Sequence, residues 1–124
     1  MAEIIHTNAA PEAIGPYSQA VKAGGFVFTS GQIAIDPATG TVTADTIEGQ
    51  TEQVMQNLAA VLKAAGSSLE KAVKTVCFLS DMGDFAAFNE IYGRYFTGRP
   101  ARSCVAVKAL PKNVLVEVEV IAEA

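Results

Sequence analysis

The apolar positions of this 124-residue chain change period along its length, and the changes mark its elements. Tyr17 to Ala23 alternates weakly and stops at Gly24-Gly25, a pair suited to a tight hairpin turn. Phe26 to Ala34, FVFTSGQIA, is aromatic and β-branched and predicts the partner strand. Its Ser30-Gly31 pair breaks the pattern, where a bulge or a close backbone approach is expected. Asp36 to Gly40 reads as a turn. From about Thr46 to Ala65 the period lengthens. Val54, Leu58, Val61, Leu62 and Ala65 form one helical stripe, with Asp45 or Thr46 as cap and Gly66 as stop. Ser67 to Glu70 starts a short turn, and Val73 to Leu79 is the next strand. Asp81 or Asp84 can cap a second helix over Phe85 to Phe96, whose apolar face holds Phe85, Phe88, Tyr92, Tyr95 and Phe96; Gly98 stops it. Arg102 to Lys108 is a strand, Ala109 to Asn113 a turn, and Val114 to Ile121 the last strand.

The order strand, strand, helix, strand, helix, strand, strand predicts one α+β domain over residues 1–124, with both helices on one face of a single sheet. The length suits one core and is too short for two. Composition sharpens this. Half of the residues are hydrophobic and 18% are charged, lean against the roughly 25% of an average globular chain. Several strands read apolar on both faces, and no helix is left to cover the second one. Another copy of the chain is the natural cover. No apolar run approaches the roughly 20 residues of a membrane span, and the N-terminus lacks a leader pattern. A cytoplasmic protein with Cys77 and Cys104 reduced is expected.

Charge and chemistry narrow the function. The net charge is −4 and the pI about 4.9, without the basic run a nucleic-acid binder shows. A single histidine, His6, lies near the N-terminus, where a solvent-facing position is expected. Histidine-assisted nucleophilic machinery is therefore not supplied. Metal-ligand spacings and glycine-rich phosphate loops are absent from the sequence. An enzyme built from this inventory works with Arg, Glu, Tyr, Cys, Ser and backbone groups, which suits a reaction of low intrinsic barrier.

Some residues stand apart from packing. In Leu115 to Ile121 the alternation sends Val116, Val118 and Val120 one way and Leu115, Glu117, Glu119 and Ile121 the other. The two glutamates are at home on a watered face; between subunits each needs a partner. Arg102 and Cys104 share a face of their strand within RPARSCV. A guanidinium fork matches a carboxylate ligand, though a structural pair with Glu117 or Glu119 is the alternative. Cys104 otherwise reads as a small buried apolar residue. Tyr17 is aimed by the rigid Gly15-Pro16 turn, and Asn89 lies on the second helix.

Several stretches together resemble one family. They are Ala13-Ile14-Gly15-Pro16-Tyr17-Ser18-Gln19-Ala20, Thr29-Ser30-Gly31-Gln32-Ile33, Asn89-Glu90-Ile91-Tyr92, Pro100-Ala101-Arg102-Ser103-Cys104 and Leu110-Pro111-Lys112 followed by Val116-Glu117-Val118-Glu119. In order and over nearly the whole chain, they are similar to the RidA/YjgF family of reactive-imine deaminases. The resemblance implies a chorismate-mutase-like α+β fold whose last strand inserts into the sheet's interior. It also implies a homotrimer with three clefts between subunits, and hydrolysis of 2-imino acids, formed from 2-aminoacrylate and its homologues, to 2-oxo acids and ammonia. No metal and no organic cofactor are implied.

Carried onto this chain, the resemblance makes Arg102 the receptor for the substrate carboxylate and Glu117 the group that positions water and assists proton transfer. Ser30 and the backbones of Gly31 and Cys104 line the pocket, Tyr17 enters from its wall, and Asn89 lies nearby. The chain departs from the family pattern just before Pro100. Arg99 stands where many members carry an aromatic residue, and the Thr97 to Pro100 link is short; Arg99 is expected to face solvent. Two other functions remain to be weighed. One is a non-enzymatic module that senses small 2-oxo acids or acts as a chaperone. The other is RNA cleavage or translation inhibition, which the acidic balance and the lack of a histidine pair argue against.

Overall fold

The computed structural model describes residues 2–124. Within them the strands are β1 (Glu3–Ile5), β2 (Ala20–Ala23), β3 (Phe26–Thr29), β4 (Ile35–Asp36), β5 (Thr41–Val42), β6 (Ala72–Leu79), β7 (Ala101–Ala106) and β8 (Val116–Glu123). Helix α1 (Ile47–Ala64) lies between β5 and β6, and α2 (Phe85–Tyr95) between β6 and β7. Six strands form one mixed sheet in the order β1-β2-β3-β8-β6-β7, in which β6 and β7 run parallel and the other neighbours antiparallel. β8 does not fold back on β7 as a hairpin. It lies between β3 and β6, as the family resemblance implies.

Local chemistry sets the boundaries. Gly24 and Gly25 both hold positive φ, 60° and 83°, the geometry of the two-residue turn that joins β2 to β3. Thr46 caps α1 by accepting from Gly49 N at 3.1 Å, and Gly66 leaves the helix at φ 80°. Asp81 accepts from Gly83 N at 2.8 Å and opens the turn before α2; Asp84 sits at the cap position of α2 without a side-chain bond to it. Three short strands were not expected from the sequence. β1, β4 and β5 have two or three residues each, too few for a period of two to show. Conversely, β2 and β3 are shorter than the apolar runs containing them, because the chain leaves the regular ladder before Ala20 and after Thr29.

The core lies between the helices and one sheet face. Val54, Met55, Leu58, Val61 and Leu62 of α1 and Phe88 of α2 are fully buried. They cover Val27, Thr75, Cys77, Leu79, Val116 and Val118, which are fully buried too. Buried polar side chains on α1 tie down the irregular segments. Asn57 Nδ2 donates to the carbonyls of Ile33 (3.1 Å) and Ile35 (2.9 Å). Gln50 Nε2 donates to Ala44 O at 3.0 Å, while its Oε1 accepts from Leu115 N at 2.8 Å. Each satisfies backbone groups that the short strands leave unpaired.

The opposite face has no cover among the described residues. Ile4, Val21, Phe28 and Ile121 follow one another across neighbouring strands, with Phe78 and Val105 farther along. Phe28 is 40% and Val105 46% exposed. Truncating the core should cost what full burial implies. Phe88→Ala is expected to destabilise the protein by about 3–5 kcal/mol, read as a lower urea midpoint with the slope unchanged.

Candidate active site

The Ser30-Gly31 interruption shapes the first half of the site. Phe28 lies opposite Ile121, whereas Gln32 lies opposite Val118. Four steps on one side face three on the other, so one residue bulges out. Thr29 Oγ1 accepts from Val120 N at 3.0 Å and fills the gap in the ladder. Ser30 is tied to the segment leading into β2, its N donating to Gln19 O (2.9 Å) and its Oγ to Ser18 O (2.6 Å). Gly31 is left facing Glu117. A Cβ on Gly31 would stand 2.8 Å from Glu117 Cδ and closer still to Oε2, so only glycine lets the carboxylate lie there.

Glu117 is half-buried on the open face of β8, opposite Phe78. Burial pushes its carboxyl above the ordinary glutamate range, and the nearby Glu119 pushes the same way. It lines a cavity of about 250 Å³ with Tyr17, Gln19, Gly31, Ile33 and Lys112. Gln19 is a residue the sequence reading missed as a functional side chain. It is 2% exposed; its Oε1 accepts from Thr7 N (2.8 Å), and its Nε2 donates to the carbonyls of Thr7 (3.0 Å) and Pro11 (2.7 Å). It thereby ties the N-terminal segment to β2 and fixes that wall. The signal was a lone amide inside the IGPYSQA stretch.

Arg102 and Cys104 occupy β7, beside Thr75 and Cys77 of β6. Parallel partners share a face, so both point to the helix side. There the Arg102 guanidinium lies 4.8 Å from the Tyr92 ring centre and 5.4 Å from that of Phe85. Its Nη1 donates to Asn89 Oδ1 at 2.5 Å. The alternative in which Arg102 pairs with Glu117 or Glu119 is not formed, because those carboxylates lie on the other face of the sheet. A cavity of about 770 Å³ opens beside Arg102, lined also by Asn89, Tyr92, Phe96 and Arg99. Arg99 is exposed, as expected, while lining this cavity.

Cys104 is half-buried next to Arg102, outside the walls of either cavity. Burial raises its thiol and the Arg102 charge pulls it down. Cys77 opposite is buried, its thiol pushed up to about 12 chiefly by burial; both cysteines are free. Ser30 borders a shallow hollow with Phe28 and stays out of the Glu117 cavity. His6 is exposed. Among the described residues no three His, Cys, Asp or Glu side chains gather as metal ligands, and no helix is long and apolar enough to cross a membrane.

One chain thus presents a half-buried carboxylate on one face of the sheet and, on the other, a guanidinium held by Asn89 and two aromatic rings. The Gly31–Glu117 approach is testable by itself. Gly31→Ala is expected to cost about 1–3 kcal/mol by overpacking. In a Glu117→Ala background the cost should nearly vanish, as a double-mutant cycle by urea unfolding will show. An equal cost in both backgrounds would place the role of Gly31 elsewhere.

Comparison with known proteins agrees along the whole chain. Residues 7–124 match the endoribonuclease L-PSP family. A RutC family protein of Pyrococcus horikoshii is 53% identical over 123 residues, covering 98% of each chain. The chloroplastic Reactive Intermediate Deaminase A of Arabidopsis thaliana is 47% identical over 121 residues, 97% of this chain and 65% of the plant protein. The crystal structure of Escherichia coli TdcF with bound serine superposes with a TM-score of 0.93 at 44% identity, over 98% of both chains. Sequence and architecture agree, and the chain belongs to the endoribonuclease L-PSP family, which includes the RutC and RidA proteins, with their chorismate-mutase-like α+β fold.

Proposed function

We propose that this protein hydrolyses reactive 2-imino acids, formed from 2-aminoacrylate and its homologues, to 2-oxo acids and ammonia. The observation that carries the reading is Glu117, seated against Gly31 at the wall of a cavity with its carboxyl raised by burial, as suits a general base. The plant relative named as a reactive-intermediate deaminase supports the reaction class. The serine bound to TdcF supports a small carboxylate-bearing ligand.

The chemistry asks little of the protein. A protonated imine carbon is already electrophilic. Arg102, steadied by Asn89 and two aromatic rings, binds the substrate carboxylate with its remaining N–H donors. Glu117 takes a proton from water as the water oxygen bonds to C2, giving a 2-amino-2-hydroxy acid. It returns that proton to the amino group. The C–N bond then breaks, and the hydroxyl proton leaves with the nitrogen as ammonium while C=O forms. Tyr17 and the Gly31 backbone shape the wall on the Glu117 side. Cys104 stands beside Arg102 on β7 and does not attack, and no covalent intermediate is required.

Arg102 and Glu117 of one chain are divided by the sheet, so a site using both takes them from two copies. The uncovered apolar face and the open edge of β7 favour such an assembly, and we infer a homotrimer with its sites between subunits. A pure sensor of 2-oxo acids would need Arg102 and leave Glu117 idle.

Turnover of 2-aminoacrylate generated in situ tests this directly. Glu117→Gln is expected to lower kcat by about 10²–10⁴-fold, and Arg102→Ala to raise KM roughly 10- to 100-fold. Subunits of the two variants mixed in one assembly should regain activity, because an Arg102 from one meets a Glu117 from the other; sites within one chain would leave the mixture as inactive as its parents. Full activity in Glu117→Gln would favour another base.

The pH profile has a definite sign. Glu117 must be ionised to take the proton, so kcat/KM falls as pH drops through its raised pKa. Glu119→Gln removes one cause of the rise and should move this acid limb to lower pH. A limb that stays in place would detach it from Glu117.

A further inference from the structure

This charge-poor chain carries three arginines, Arg94, Arg99 and Arg102. Arg94 is paired with Glu90 one turn back along α2, at 3.0 Å. The other two line the same 770 Å³ cavity, and no carboxylate is among its walls. In a protein of net charge −4, two guanidiniums lining one cavity without an acid make a local positive field that favours an anion.

The backbone that carries Arg99 is constrained. It sits at φ 55°, a left-handed conformation uncommon for a residue other than glycine. The constraint comes from both sides. Before it, Phe96 is buried and stacked on Tyr92 with ring centres 4.5 Å apart, and its carbonyl accepts from Arg99 N at 3.2 Å. Gly98 presses so closely on Glu70 that a Cβ would stand 2.9 Å from that carbonyl oxygen. After it, Pro100 fixes the backbone. Three Cα steps lead from Arg99 to Arg102, so their Cα atoms are at most about 11 Å apart.

We propose that Arg99 is a specificity determinant that receives a second carboxylate, so that the cleft favours 2-imino acids carrying a side-chain carboxylate over those with neutral side chains. This rests on the deaminase reading above. Arg102 takes the carboxylate beside the reacting carbon, and Arg99 takes the one at the far end. The planar fork of each guanidinium suits a carboxylate, and the open volume beside them accommodates the longer substrate.

The experiment compares kcat/KM for the imine of aspartate, generated in situ by an amino-acid oxidase, with that for 2-iminobutanoate. The protein is wild type, Arg99→Gln, which keeps bulk, and Arg99→Gly, which relieves the backbone strain. The ratio of dicarboxylic to neutral substrate should fall about tenfold or more in both variants, the weight of one charge-assisted contact. An unchanged ratio overturns the proposal. Calorimetric titration with succinate and butanoate reads the same preference without turnover. Should neither imine be hydrolysed, tighter succinate binding that is lost in Arg99→Gln would uphold the role of Arg99 while the deaminase reading fell; no preference for succinate would overturn the role of Arg99 as well.

Discussion

β8 is paired on both edges, with β3 on one side and β6 on the other, and the positions of the functional groups follow from that pairing. Its inner residues, Val116, Val118, Val120 and Ala122, meet the helices and are almost completely buried. With that face fixed, a period of two leaves Glu117 no choice but the opposite one. Slipping the register by one residue would bury two carboxylates under α1, where nothing neutralises them. The register is therefore enforced by the cost of burying charge as much as by the gain from burying valine. The bulge in β3 then meets Glu117 because its partner cannot slide.

The same logic explains why Glu117 and Arg102 are apart. Glu117 is on a central strand and Arg102 on an edge strand, with β6 between them, and they face opposite ways. A central strand gives rigidity and partial burial, which raises a carboxyl. An edge strand gives a guanidinium room to keep its charge hydrated while aromatic faces from α2 hold its orientation. Each group stands where its own electrostatics are satisfied.

Much of this was legible in the sequence, for identifiable reasons. The α1 stripe and the β8 alternation carry strong periods, so both elements and the facing of Glu117 were readable. Ser30-Gly31 was readable as a break, because glycine among aromatic and β-branched residues has few other uses. The place of β8 in the sheet was not readable from periodicity, since alternation says nothing about which neighbour a strand takes; only the resemblance implied it. β1, β4 and β5 are too short to carry a pattern, and what holds their surroundings are the amides of Gln19, Gln50 and Asn57. Those residues look like ordinary surface polars until the fold buries them. Arg99 was expected to face solvent and does, yet its backbone angle and its place beside Arg102 appear only in three dimensions.

The central place of β8 also bears on how the chain is made. Residues 116–123 emerge from the ribosome after every segment they pair with. Until then β3 and β6 wait with facing edges unpaired, and the apolar faces of α1 and α2 have only part of a sheet to rest on. Sheet closure is thus a late event joining residues about ninety positions apart, the kind of contact that slows folding and leaves strand edges exposed to other nascent chains. For this architecture, shielding during synthesis matters most in the last moments before the final strand arrives.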